Sequence, residues 1–113
     1  MFRMFVSLAM AALIAGGCAP SGLYEWGSYE ASVQHMYAED SSKHLLKDRQ
    51  KLIDEVRKTE QRKRQVPPGK YAHIGYLCWL SGDTASARTY FQAERDTYPE
   101  SARLMDSLIV RVR

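Results

Sequence analysis

Apolar and polar positions along most of this chain follow the 3.6-residue period of an α-helix. Tyr29, Val33 and Tyr37 recur at four-residue spacing, which predicts an amphipathic helix over residues 28–39. Asp40-Ser41-Ser42 breaks it with residues that favour helix starts. Over residues 43–64, Leu45, Leu52, Val56 and Thr59 share one face while charges occupy the others. Pro67-Pro68-Gly69 stops that helix and starts the next, because proline fits a first helical turn and not an interior. Residues 69–81 are apolar around most of their circumference, from Tyr71 through Ile74, Leu77 and Cys78 to Leu80, the mark of a buried helix. Gly82 predicts its end and Asp83 the N-cap of another. Residues 84–98 put Ala87, Tyr90, Phe91, Glu94 and Tyr98 on one stripe. Pro99 opens a last helix with Leu104, Leu108 and Val112. Strand-like alternation and hairpin turn signals are missing from the sequence. The expected fold class is therefore all-α, with about five helices as antiparallel hairpins plus a closing helix.

The N-terminus has a different pattern. Arg3 precedes an apolar run from Phe5 to Ala15 broken by Ser7. Its length suits a secretion signal and falls short of the roughly 20 residues that span a bilayer. The run ends in Ala15-Gly16-Gly17-Cys18. Small residues before a cysteine resemble the lipobox of bacterial lipoproteins, although Ala15 stands where leucine is preferred. The resemblance implies cleavage before Cys18, lipid on its thiol, and an anchor in the membrane through that lipid. Ala19, where aspartate would signal inner-membrane retention, implies the outer membrane, with the domain facing the periplasm. The expected organisation is a signal peptide over 1–17, a tether over 18–27 containing Pro20, Gly22 and Gly27, and a helical domain over 28–113.

Two further resemblances concern the domain. Tyr71, Ile74, Gly75, Leu77, Gly82-Asp83, Ala87, Phe91 and Pro99 resemble the tetratricopeptide repeat, a helix–turn–helix unit. In that register Gly75 and Ala87 let two helices approach closely. Cys78 and Glu94 depart from the pattern, standing where an aromatic residue and alanine are usual. The blocks Leu23-Tyr24-Glu25-Trp26-Gly27-Ser28-Tyr29-Glu30, Val66-Pro67-Pro68-Gly69-Lys70-Tyr71-Ala72 and Tyr98-Pro99-Glu100-Ser101 before Met105-Asp106 resemble a family of small lipoproteins known as domain of unknown function 4810. That family has no assigned activity. Its members are often encoded beside a curli-secretion-type lipoprotein, so the resemblance implies a lipoprotein partner in the cell envelope.

Composition narrows the chemistry. The chain's 16 Lys+Arg against 13 Asp+Glu give a formal charge of +3, too small to argue for nucleic acid. The basic segment over 43–64, with nine Lys+Arg and four Asp+Glu, reads as a solvated helix with favourable i,i+4 pairs; the alternative is a patch touching anionic lipid or cell-wall carboxylates. With lipid on Cys18, Cys78 has no partner for a disulfide. His35, His44 and His73 include no two residues at the i,i+4 spacing that puts paired ligands on one face, so no metal and no cofactor are expected. Nucleophile elbows, zinc-protease signatures and phosphate loops are likewise missing from the sequence. The expectation is a non-enzymatic interaction module whose candidate partner contacts are Tyr71, Tyr76 and Trp79. The alternative is an enzyme acting on cell wall or lipid through an unrecognised site.

Overall fold

The computed structural model describes residues 22–112. Cys18 and the expected signal lie outside the described residues. Five α-helices follow one another: α1 Tyr29–Met36, α2 Ser41–Gln61, α3 Lys70–Leu80, α4 Thr84–Thr97 and α5 Ala102–Arg111, with a 3-10 turn at Pro99–Ser101 before α5. No strand occurs among the described residues, so the fold is all-α. Each helix packs mainly on its neighbours in sequence, and the α3–α4 pair is the most extensive. Short connections favour this serial arrangement, since they hold consecutive helices side by side.

The hairpin of α3 and α4 is the centre of the domain. Gly69 at the start of α3 meets Glu94 near the end of α4, while Gly75 meets Ala87 and Phe91, which makes the two helices antiparallel. Gly82 adopts φ +85°, its N–H bonds to the Trp79 carbonyl, and the Asp83 N–H bonds to the Cys78 carbonyl. This two-bond closure satisfies carbonyls at the α3 end. Asp83 then accepts from the Ser86 N–H at 3.1 Å and caps α4. Ile74, Leu77, Cys78, Ala87 and Phe91 fill the interface, all 2 % exposed or less. Burying side chains of this size stabilises by roughly 1.5–3 kcal/mol each for the larger ones.

α2 runs 21 residues, about 30 Å. Its inner face carries Leu52, Val56 and Thr59, as its sequence predicts, with Leu45 packed beside the core. The helix stops at Gln61, short of the basic triplet. Lys63 turns left-handed at φ 53°, its N–H bonds to the Glu60 carbonyl, and the Arg64 N–H bonds to the Thr59 carbonyl. The closure matches that after α3, with lysine in the place glycine usually holds.

Two helical faces differ from expectation. In α1 the buried residue is Ser32, with Tyr29 and Met36 packed on the core, whereas Tyr37 is 88 % exposed. The Ser32 hydroxyl pairs with His73 Nε2 at 2.8 Å, a polar contact that apolar periodicity does not register. In α5 the core face is Met105, Leu108, Ile109 and then Val112, with Leu104 at 60 % exposure. A stripe at strict four-residue spacing drifts around a helix of 3.6 residues per turn.

Residues 22–27 of the segment expected as a tether are docked on the domain. Glu25 accepts from the Thr59 hydroxyl at 2.9 Å and pairs with Arg62 and Arg64. Arg64 also donates to the Gly22 carbonyl. Lys70, 1 % exposed, donates to the carbonyls of Glu25 and Trp26 and pairs with Glu55 at 3.1 Å. Glu55 in turn accepts from the Ser28 hydroxyl and N–H. The buried ammonium is thus satisfied on three sides, the condition for burying a charge.

Candidate functional site

A cleft of about 370 Å³ opens where α1, the start of α2 and the outer face of α3 meet. Met36, Leu45, Leu77, Tyr76 and Leu80 form its apolar walls. Ser32, His35, Ser41, Ser42 and Asp48 give it a polar end. The turn between α1 and α2 folds His35, in the last turn of α1, back over the first turns of α2. His35 Nδ1 lies 2.7 Å from Asp48 Oδ2. The His35 and His44 rings stack with centroids 4.0 Å apart. Asp40 Oδ2 stands 3.5 Å from His44 Nε2.

The aromatic residues singled out from the sequence part company here. Tyr71 is 8 % exposed and its hydroxyl donates to Glu60 at 2.6 Å, so it lies in the core, away from the cleft wall. Burial, with the Glu60 carboxylate beside it, pushes its hydroxyl well above the ordinary tyrosine range. Tyr76 is 37 % exposed on the cleft wall, and Trp79 packs edge-on to it at 6.4 Å. Leu80, at 52 % exposure, completes an apolar rim that the sequence reading assigned to a buried helix.

Other reactive groups are taken up by the fold. Cys78 is buried among apolar neighbours, and that burial pushes its thiol up. Burial pushes the His73 imidazole down; with Ser32 at 2 % exposure the pair clamps α1 to α3 with no access for a substrate. Glu94, which departs from the repeat pattern, accepts from the Gly69 N–H at 2.7 Å, and the Tyr71 and Ala72 amides also face it. Its carboxylate sits at the positive N-terminus of α3, where alanine would leave the amides without an acceptor. Burial nonetheless raises its carboxyl above the ordinary range.

The polar end of the cleft was missed from sequence because its groups come from two helices. Part of its signal was present: His44 and Asp48 are four apart, so they share one face of α2. His35 joins them through the fold alone. No helix among the described residues is long and apolar enough to cross a membrane.

No curated relative and no solved structure matches the chain. A family profile matches residues 23–108, and its description mentions no tetratricopeptide repeat. The matched range begins in the docked segment, runs through the Lys70 clamp and the cleft, and ends in α5, so it spans most of the helical domain: the chain belongs to the family described as domain of unknown function (DUF4810).

Proposed function

We propose that this chain is a lipoprotein held at the outer membrane through Cys18, and that its helical domain is a small interaction module for another envelope lipoprotein. The observation that carries the reading is the open cleft between α1, α2 and α3, with Tyr76 and Leu80 exposed on an apolar wall. Aromatic and aliphatic anchors beside a few polar groups suit the centre of a protein contact. The lipobox-like junction at Cys18 supports the anchor, and the gene neighbourhood implied by the resemblance supports a partner of curli-secretion type. Shared anchorage would confine both proteins to one leaflet and raise their effective concentration, so a modest contact would suffice.

A photo-crosslinker at Leu80 in intact cells tests this. The expected product joins the chain to an acylated envelope protein and disappears when Tyr76 is changed to Ala. Recovery of uncrosslinked chain alone, under conditions that trap known lipoprotein complexes, removes the reading. The His35–Asp48 pair beside the cleft supports a second one, an enzyme acting on cell wall or lipid. Hydrolysis of peptidoglycan or phospholipid by the purified chain, lost in His35→Gln, would establish it in place of the first.

A further inference from the structure

We infer that His35, His44 and Asp48 form a binding site for a divalent transition-metal ion, zinc(II) foremost. One ligand atom from each residue, two imidazole nitrogens and one carboxylate oxygen, lies within 4.8 Å of the other two. In a tetrahedral zinc site, bonds of roughly 2.0–2.2 Å place ligand atoms about 3.4 Å apart. The His35–Asp48 pair, at 2.7 Å, would widen and separations up to 4.8 Å would draw in, adjustments on the scale of side-chain rotation. Both imidazoles have the freedom to rotate, since their side chains are 37 % and 34 % exposed, whereas Asp48 at 12 % is fixed by its surroundings. The two rings stack 18° from parallel with centroids 4.0 Å apart, which keeps both imidazoles beside Asp48.

The donor set chooses the ion. Two neutral imidazoles with one carboxylate suit zinc and its neighbours in the first transition row, whereas calcium and magnesium take oxygen ligands almost throughout. Asp40 supplies a second carboxylate next to His44, 3.5 Å from its Nε2, where it can orient the ring as outer carboxylates orient metal-bound histidines. A plain ion pair between His35 and Asp48 would need no second imidazole one helical turn before the aspartate. Three protein ligands leave one coordination position free, and it would open into the cleft. The bound ion would also join α1 to α2. At eight residues α1 is too short to be stable by itself, so a cross-link at its last turn would fix the cleft's shape.

Equilibrium dialysis of the untagged full-length chain in detergent, stripped with chelator and titrated with zinc(II), tests the site. One zinc per chain is expected. His44→Gln, at a half-exposed position, is expected to keep the native circular dichroism and lose at least about tenfold in zinc affinity. Asp48→Asn is expected to lose as much. Because Asp48 is buried and its replacement can also unfold the domain, cobalt(II) bound to the native chain provides a second readout. A strong visible band of low-coordinate cobalt is expected, and the weak spectrum of octahedral aquo-cobalt would overturn the site. It would be overturned equally by a native chain that binds no stoichiometric zinc, or by a His44→Gln chain that binds zinc as tightly as the native one.

Discussion

Gly75 faces Phe91 so closely that a Cβ on residue 75 would stand 2.7 Å from Phe91 Cε1, and 3.1 Å from the Ala87 carbonyl oxygen. Phe91 is fully buried and cannot swing away, and the Ala87 oxygen is backbone. Glycine inside a helix normally costs about 1 kcal/mol relative to alanine. Here the close approach of α3 and α4 outweighs that cost. Gly75→Leu is expected to destabilise the domain by about 1–3 kcal/mol or more through overpacking. Thermal unfolding reads it as a midpoint lowered by about 4–8 °C per kcal/mol. An unchanged midpoint would mean that the two helices can separate at no cost.

Lys63 offers the opposite sign. It holds φ 53° at the end of α2, a conformation that glycine adopts without the Cβ clash an L-residue suffers. Lys63→Gly is expected to raise stability by about 1 kcal/mol. Urea unfolding would show a higher midpoint at unchanged slope. A lower midpoint would show that the lysine side chain contributes more than its backbone costs.

Acid should loosen the domain through His73. Burial depresses the His73 pKa below the ordinary 6.5, only partly opposed by the Asp48 charge. The folded state therefore binds a proton less readily than the unfolded chain. Stability from this residue is complete above about pH 6.5 and is lost as pH falls toward the folded value. The melting midpoint is expected to drop between about pH 7.5 and 5.5, and His73→Gln should flatten that slope. A variant that keeps the full slope would assign it to other groups.

Cys18→Ser is expected to abolish acylation and leave the chain uncleaved or mislocalised. Metabolic labelling with a fatty acid checks it, and label in the serine variant would end the assignment of Cys18.

What was legible in the sequence was local. Pro67-Pro68-Gly69 and Gly82-Asp83 punctuate the chain by their own backbone chemistry, and the helices begin and end beside them. Leu52, Val56, Ala87 and Phe91 lie in the core because apolar residues at helical spacing have nowhere else to go. Buried charge was not legible. Lys70 and Glu94 find their partners far along the chain: Glu55 and two carbonyls for the lysine, and the amides at the start of α3 for one carboxylate oxygen of the glutamate. The cleft was half legible. Tyr76 and Trp79 were picked out for their chemistry, but which side of α3 meets solvent depends on where α1 ends.

If Cys18 anchors the chain as proposed, the docking of residues 22–27 onto the end of α2 would set how high the cleft rides above the bilayer. With lipid on Cys18, only residues 19–21 separate the anchor from Gly22, a reach of at most about 14 Å. The domain then stands on a bracket and cannot swing on a long leash. Arg62 and Arg64, which clasp that segment through Glu25, would then stand on the lipid side. Asp48 and Leu45 lie 14 and 17 residues before Arg62, so the helix could carry the cleft up to about 25 Å farther from the headgroups. A partner would have to present its contact surface within that narrow band of heights, which makes altitude above the membrane a selection rule in its own right.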